Sequence, residues 1–257
     1  MKISYAELHC HTNYSFQEGA SSVEELLVRA KELGHRALAI TDHDNLCGAM
    51  HFAQVARSVG IQAITGSEVS LKDGSHLTLL AETQQGYSNL SRLISYAYVS
   101  GDRRNPGLDP KHLASLTEGL ILLTGCRRGR LSSLLAQGHQ NEAQEQLRQY
   151  LDWFGPSNVF VELQQNLVQG DTRCNRRLVQ LAREAGVEVS ATNNVHYHAA
   201  ERHRLQDTLV AIQHNLSLDE SHQERRANGQ FYLKPAGEMA VLFDGCPEAL
   251  ENTLRIA

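Results

Sequence analysis

The regular alternation of short apolar runs with longer amphipathic stretches constrains the fold of this chain more than any other feature of its sequence. The amphipathic stretches have helical periodicity, so each apolar run and the stretch that follows it form one predicted βα unit. About seven such units favour an α/β protein built as a parallel barrel. The predicted strands cover residues 5–9, 37–41, 63–65 with a continuation at 68–71, 76–81, 120–124, 159–163 and 187–192.

Local signals support individual elements of this pattern. The clearest helix opens at Ser21 and Ser22, has acidic residues in its first turn and ends at Gly34, which is typical of a capped helix. An Asp-Gly turn within residues 72–75 predicts a hairpin inserted among the βα units. Because no repeat or long linker divides the sequence, residues 1–257 are expected to form a single domain. Further helices are predicted at 48–59, 87–99, 142–154, 172–185 and 199–213, and a surface loop at 101–110.

The strongest local motif is His9-Cys10-His11, at the end of the first predicted strand. Alternate side chains of a strand face the same side, so His9 and His11 are expected to point together while Cys10 points away. Two imidazoles on one face form a ready site for a divalent cation. Taken alone, the motif is also compatible with two surface histidines placed there by chance.

Potential metal ligands recur at the ends of the other predicted strands. In a βα barrel the carboxyl ends of the strands meet at one rim, where active sites are built. Side chains at these ends are therefore brought together, and their richness in metal-ligating types argues against chance. The recurrent residues are His43, Glu68, His76, Cys126, Asn194 and His196.

Four segments resemble the ordered motifs of the polymerase and histidinol phosphatase (PHP) family. They are the His-Cys-His segment 8–16, the Thr-Asp-His-Asp segment 39–44, and the segments 66–69 and 192–197. The stretches 15–20, 76–81 and 86–90 are similar to the N-terminal PHP domain of bacterial C-family replicative polymerases, particularly their error-prone branch. The resemblance implies an α/β fold of the PHP type, a distorted (β/α)7 TIM-like barrel.

The resemblance also implies a cluster of nine ligands that holds two or three divalent metals. In the implied arrangement one metal is bound by His9, His11, Glu68 and Asn194, a second by Glu68, His76 and Cys126, and a third by Glu18, His43 and His196. Asn194 stands where the family usually has Asp, so one site loses a negative charge. Glu18 also replaces a usual Asp and has a longer side chain. Histidine and cysteine ligands favour zinc, with manganese or iron as alternatives.

The composition is that of an ordinary globular protein, which we expect to be cytoplasmic and not attached to a membrane. Apolar residues make up 41% of the chain, no apolar run is long enough for a membrane span, and the first residues lack the apolar region of a signal peptide. Five scattered cysteines without a CxxC pair indicate reduced thiols. The net charge of −5 argues against a general nucleic-acid coat, but an enzyme with bound cations can still act on nucleic acid.

The resemblance implies metal-dependent hydrolysis of a phosphoester, with the phosphodiester at the 3′ end of DNA as the preferred substrate. Bridging metals would activate water, and the sequence contains no motif for a side-chain nucleophile. Arg127 and Arg128 are expected to hold a phosphate at the rim, with an exposed basic turn as the alternative. Two other functions stay open: a catalytically silent module that supports polymerase domains or binds replication and repair proteins, and a small-molecule phosphomonoesterase like histidinol phosphatase.

Overall fold

A curled six-stranded sheet surrounded by helices forms the body of the protein. The computed structural model describes residues 4–100 and 106–257, so half of the predicted loop at 101–110 lies outside the described residues. The strands follow the order β1 to β6 across the sheet. They are β1 Ala37–Ile40, β2 Gln62–Ser70, β3 His76–Ala81, β4 Leu120–Leu123, β5 Val159–Gln164 and β6 Glu188–Thr192.

The described residues also form ten α-helices, most of which lie where helical periodicity predicts them. They are α1 Val23–Leu33, α2 Ala49–Val59, α3 Gln84–Ser100, α4 Pro110–Ala114, α5 Arg130–Gln137, α6 Gln140–Phe154, α7 Asp171–Ala185, α8 His203–His214, α9 Ala236–Leu242 and α10 Glu248–Ile256. The short helices α4, α5 and α9 were not predicted, because eight residues or fewer give too little periodicity to detect. None of the helices among the described residues combines the length and apolar character needed to cross a bilayer.

Helix α1 shows how the local sequence sets an element boundary. The Ser22 hydroxyl accepts a hydrogen bond from the main-chain nitrogen of Glu25 at 3.3 Å, and the Glu25 carboxylate accepts one from the nitrogen of Ser22 at 3.0 Å. This reciprocal capping box satisfies donors that a helix start would otherwise leave unpaired. Gly34 ends the helix in the left-handed conformation, with a φ of 78°, as the sequence predicts.

The hairpin predicted at the Asp-Gly turn is present, and it changes the direction of one strand. Strand β3 pairs antiparallel with both β2 and β4. The other three pairs, β1 with β2, β4 with β5, and β5 with β6, are parallel. The sheet is therefore mixed, with one antiparallel strand among parallel ones, as the predicted hairpin implies. Because β3 runs in the opposite direction, its first residue, His76, lies at the same rim as the carboxyl ends of the parallel strands.

Strand β2 is continuous from Gln62 to Ser70, where the sequence analysis expected a break around Gly66. Residues up to Thr65 pair with β1, and residues from Gly66 onward pair with β3. A Cβ on Gly66 would lie 2.5 Å from the carbonyl oxygen of Leu79. Glycine therefore allows the close backbone approach at the point where the strand changes partners.

The predicted strand at residues 5–9 is instead an extended segment with isolated bridges. Glu7 pairs with Leu38 of β1 on one side, and Cys10 pairs with Val195 beyond β6 on the other. Side chains take two of the main-chain donors that a regular ladder would use. The nitrogen of His9 donates to the carboxylate of Glu7, and that of Cys10 donates to the hydroxyl of Thr41. The segment occupies the position of a seventh strand and joins the two edges of the sheet.

Alternate residues of the strands pack into two apolar layers. In β4, Leu120 and Leu122 face the helices, whereas Ile121 and Leu123 face the inside of the curled sheet. This period of two places one apolar set on each face of the sheet. The inner layer fills one end of the sheet, so the opposite end, at the rim, is left for polar residues.

Candidate metal centre

Histidines from three parts of the chain surround the carboxylate of Glu68 at this rim. His9 and His11 point to the same side, as predicted, and Cys10 packs into the apolar cluster between β1 and helices α1 and α2. The Nε2 atoms of His9 and His11 lie 3.5 Å and 3.4 Å from Oε2 of Glu68. The alternation of an extended segment thus delivers two imidazoles to one carboxylate.

Two further histidines also lie against the carboxylate of Glu68. Nε2 of His43 lies 3.1 Å from Oε2, and Nδ1 of His76 lies 3.3 Å from Oε1. Among the described residues, two groups have ligand atoms within 4.8 Å of one another, and both include Glu68. The groups are His9 with His11 and Glu68, and His43 with Glu68 and His76. Their geometry suits two cations that share Glu68.

Buried polar atoms without partners provide a test of this interpretation. Among the described residues, four ligand atoms that point into the cluster are buried and accept or donate no hydrogen bond. A buried polar atom without a partner costs about 1–3 kcal/mol, so four in one place favour a ligand from outside the chain. Nitrogen and carboxylate donors of this kind fit a divalent transition metal. The atoms are Nε2 of His9 and His11, Oε1 of Glu68 and Nδ1 of His76.

The remaining ligands implied by the resemblance lie beside these groups. Glu18 accepts a hydrogen bond from His43, with Oε2 2.8 Å from Nε2. The loop that carries Glu18 passes very close to the main chain at Thr12. A Cβ on Gly19 would lie 1.9 Å from the Thr12 carbonyl oxygen, so only glycine fits there. Cys126 is buried and lines the same cleft, but it belongs to neither ligand group.

Asn194 and His196 complete the set. Oδ1 of Asn194 lies 2.9 Å from Nε2 of His196, and the ring of His196 stacks on His11 with centroids 4.4 Å apart. Asn194 has a left-handed backbone with a φ of 49°, a conformation that asparagine and aspartate tolerate better than most residues. All nine residues implied as ligands therefore lie at the same end of the curled sheet.

Two hydrogen-bond chains behind the ligands were missed by the sequence analysis. Nδ1 of His9 lies 2.7 Å from the buried Glu162 carboxylate. Nδ1 of His11 lies 3.0 Å from the Ser15 hydroxyl, which itself donates to Asp42 at 2.7 Å. Hydrogen bonds of this kind fix the ring orientation and direct the other ring nitrogen toward a metal. The signals for them were a carboxylate within the apolar run of β5 and the first Asp of the Thr-Asp-His-Asp motif.

The cluster is built to attract positive charge. Burial alone would raise the pKa of Glu68, but the neighbouring His43 and His9 hold it well below the usual value. Burial opposes the charging of His9, yet Glu162 and Glu68 raise its pKa to about 10. In contrast, burial and the nearby His43 lower the pKa of His11 to about 3. The buried carboxylates of Glu68 and Glu162, with the half-buried one of Glu18 beside His43, thus draw protons or cations to this point.

A cleft of about 590 Å³ opens above the cluster, and arginines line it together with the ligands. Arg127, expected to hold a phosphate, donates to Asp171 at 2.7 Å and to the carbonyl oxygen of Gln169 at 3.1 Å. Arg128 lines the cleft, and its main-chain nitrogen donates to Sγ of Cys126 at 3.4 Å. Another arginine, Arg226, reaches His196 and was missed because it lies on an irregular segment.

Comparison with known sequences places this arrangement in a family. A family profile described as PHP domain matches residues 7–166, which include His9, His11, His43, Glu68 and His76. The chain belongs to the PHP domain family. The match confirms the resemblance inferred from the ordered histidine motifs, and it covers the part of the PHP domain that carries both ligand groups.

Relatives of this PHP domain are larger proteins. An error-prone DNA polymerase of Symbiobacterium thermophilum is 40% identical over 99% of this chain and 25% of its own length. A DNA polymerase III subunit alpha of Treponema pallidum is 38% identical over 100% of this chain and 23% of its own length. The chain therefore spans about a quarter of the length of these curated relatives.

A solved structure supports the fold of this PHP domain. A candidate metal-dependent phosphoesterase of Bifidobacterium adolescentis aligns with a TM-score of 0.54 and 13% identity, over 76% of this chain and 88% of that one. At this level of identity the likeness concerns the fold, and it agrees with the barrel expected from the sequence.

Proposed function

We propose that this PHP domain is a metal-dependent phosphoesterase that hydrolyses the phosphodiester at the 3′ end of DNA, as a domain or relative of an error-prone DNA polymerase. The observation that supports it most is the group of four unpaired, buried ligand atoms around Glu68, below a cleft lined by arginines. The proposed unit is a single domain of residues 1–257 that acts in the cytoplasm. Its proposed partners are DNA and the polymerase domains or replication and repair proteins.

The nine proposed ligands are assigned to three cation sites, as the resemblance implies. Glu68 would be shared by the first site, with His9, His11 and Asn194, and by the second, with His76 and Cys126. The third site would comprise Glu18, His43 and His196, although His43 also lies 3.1 Å from Glu68. Two or three zinc ions fit the imidazole and thiol donors best, with manganese or iron as alternatives. Bound cations would supply Lewis-acid activation of the phosphoryl group and of the attacking water.

The residues of the chain itself contribute orientation and charge. Glu162 and the Ser15–Asp42 pair hold His9 and His11 with their Nε2 atoms toward Glu68. Burial raises the pKa of the Cys126 thiol, and the negative charge of Glu68 raises it further, so a cation bound by Cys126 would have to displace its proton. Arg128 lines the cleft and is available for a phosphate, whereas the guanidinium of Arg127 is already bound by Asp171.

One observation favours a second function, a catalytically silent PHP module that supports a polymerase. Asn194 provides a neutral amide beside His196, so the cluster has one negative charge fewer than a carboxylate would give. Such a module would bind metal without hydrolysis. A small-molecule phosphomonoesterase is a further alternative, and its test is the comparison of a phosphomonoester with a DNA primer.

The deciding experiment pairs elemental analysis of protein purified without chelator with hydrolysis of a 3′-labelled DNA primer in the presence of zinc or manganese. We expect two or three metals per chain and release of nucleotides. His9→Ala should abolish release, while His139→Ala, which changes an exposed histidine paired with Glu142, should leave it intact. Metal without release, unrepaired by Asn194→Asp, would favour the silent module, and release that survives His9→Ala would refute the assignment of the site.

A further inference from the structure

The guanidinium of Arg226 reaches the ligand cluster from a segment to which no role has been assigned. Arg226 lies on the irregular stretch between α8 and α9, and it lines the cleft together with Glu68, His43 and His76. Its Nη2 atom lies 3.1 Å from Nδ1 of His196 and contacts Nε2 of the same ring. A strong cation therefore stands at the floor of the cleft, against a proposed metal ligand.

Both nitrogens of the His196 ring face oxygen acceptors. The main-chain carbonyl oxygen of Glu18 lies 3.0 Å from Nδ1, and Oδ1 of Asn194 lies 2.9 Å from Nε2. A neutral ring carries one N–H, so the guanidinium of Arg226 meets whichever nitrogen lacks the proton, and that nitrogen is a weaker acceptor than a carboxylate. A divalent cation held by His196 would repel the guanidinium.

Unlike two other arginines that line the cleft, Arg226 pairs with no carboxylate of the described residues. The neighbouring Arg225 donates to Asp207 at 3.1 Å, and Arg127 donates to Asp171. Arg226 forms no ion pair with a carboxylate of residues 4–100 or 106–257, and its Nε atom is buried without a hydrogen-bond partner. Removing a guanidinium from water without a matching anion is costly. Glu18 and Glu68 favour the charged guanidinium from a distance, but no carboxylate of the described residues accepts its hydrogen bonds.

The orientation of the guanidinium is fixed from one face. The ring centroid of Phe231 lies 4.6 Å from the central carbon of the Arg226 guanidinium, within the range of a cation–π contact. Stacking on an aromatic ring leaves the edge of the guanidinium, where its donors lie, free to meet an anion. The planar fork of these donors matches two oxygens of a phosphate better than an ammonium group can.

We propose that Arg226 binds the phosphate of the substrate at the floor of the cleft, as the residue that positions the phosphoryl group over the metal ligands. The inference rests on the proposed phosphoesterase function and deepens it by naming the phosphate-binding residue. The Phe231 ring supports one face of the guanidinium, and no carboxylate of the described residues accepts its hydrogen bonds, so its donors can meet the phosphate oxygens.

The test is calorimetric titration of the zinc-loaded protein with inorganic phosphate. Arg226→Ala should weaken phosphate binding by roughly 10- to 100-fold, the range expected for loss of charge-assisted hydrogen bonds. Arg226→Lys should restore part of this loss, because it keeps the charge but not the fork. The matched control is Arg255→Ala, which removes an arginine that also lies over a phenylalanine ring but is paired with Glu188, and it should change the affinity less than twofold.

Elemental analysis of the same variants separates phosphate binding from a structural role. We expect the number of zinc ions per chain to be equal in the wild type, Arg226→Ala and Arg226→Lys. A zinc count that rises by one in Arg226→Ala would overturn the proposal, because the guanidinium would then stand in for a metal. Unchanged phosphate affinity in both variants, or no phosphate binding by the wild type, would overturn it as well.

The phosphate-binding test is informative even if the protein hydrolyses no substrate. Phosphate binding that is lost in Arg226→Ala, in a protein that releases no nucleotide from a primer, would support the binding role and refute only the phosphoesterase. If the primer is hydrolysed, Arg226→Ala should raise KM for the primer more than it lowers kcat, because a positioning contact to the phosphate already exists in the bound substrate. An effect on kcat alone would contradict the role.

Discussion

Replacement of Glu162 by glutamine should weaken metal binding although Glu162 is not itself a ligand. The carboxylate lies 2.7 Å from Nδ1 of His9, and both side chains are fully buried. Glu162→Gln keeps the size of the side chain but removes its charge. The hydrogen bond that fixes His9 then changes from a charge-assisted bond to a neutral one, while the metal-facing Nε2 atom is left in place.

The magnitude follows from the two kinds of hydrogen bond. A hydrogen bond to a charged group contributes about 1.5–3 kcal/mol and a neutral one about 0.5–1.5 kcal/mol. The difference is about 1–1.5 kcal/mol, which corresponds to a loss of roughly 5- to 15-fold in affinity. Changes behind the ligands of known metal sites cost 10- to 100-fold, so a loss of roughly tenfold is expected for the group that contains His9.

The assay is competition for zinc between the protein and a chelator of known affinity, followed by the absorbance of the chelator. Glu188→Gln is the matched control, because Glu188 is half-exposed on the neighbouring strand and pairs with Arg255 on the surface. It should change zinc affinity less than twofold. Thermal unfolding of the metal-free proteins checks that the fold is kept. A Glu162→Gln protein that is folded and binds zinc as tightly as the wild type would refute the reasoning.

Three further predictions concern charge, packing and pH. Asn194→Asp should tighten zinc binding by on the order of tenfold, because it adds a negative charge beside His196; weaker binding in the chelator assay would contradict this. Leu122→Ala, in the fully buried core, should lower the free energy of unfolding in urea by about 2–5 kcal/mol, and a loss below 1 kcal/mol would argue against its packing. Burial lowers the pKa of Lys234 to about 8 from 10.5, so the unfolded chain binds more protons between these pH values. The free energy of unfolding of the wild type minus that of Lys234→Met should therefore rise with pH across that interval, by up to about 3 kcal/mol. A difference that stays flat or falls in urea titrations would show that the pKa of Lys234 is not lowered by folding.

Local patterns in the sequence were sufficient for most strands and for the first ligands. The period of two in His9-Cys10-His11 and the capping residues of α1 act over a few positions, so they can be read from the chain directly. The direction of β3 could also be anticipated from its Asp-Gly turn, and with it the location of His76 at the rim. The prediction of a regular strand at residues 5–9 was wrong. The Glu7 side chain accepts the main-chain hydrogen bond of His9, which a regular strand would donate to its neighbour.

The supporting residues of the site could not be predicted, because they depend on contacts between distant parts of the chain. Glu162 meets His9 across 153 positions of sequence, and no local pattern identifies such a partner. Arg226 belongs to a segment without periodicity, and only the packing of Phe231 and the path of the chain bring it to His196. The signals in the sequence were a carboxylate within an apolar strand and the first Asp of the Thr-Asp-His-Asp motif, and each indicates a buried partner without naming it.

The joining of the two sheet edges by residues 5–9 has a consequence for the order of events on the ribosome. Asn193 donates its main-chain hydrogen bond to Glu7, which was synthesised 186 positions earlier. At about 5–20 residues per second, the first histidines wait roughly 10–40 s for the segment that closes the sheet beside them. The full set of nine proposed ligands therefore comes together only after the segment that follows β6 has left the exit tunnel. His9, His11, His43, Glu68 and His76 are made much earlier, so any cation that they held before this point would lack Asn194 and His196.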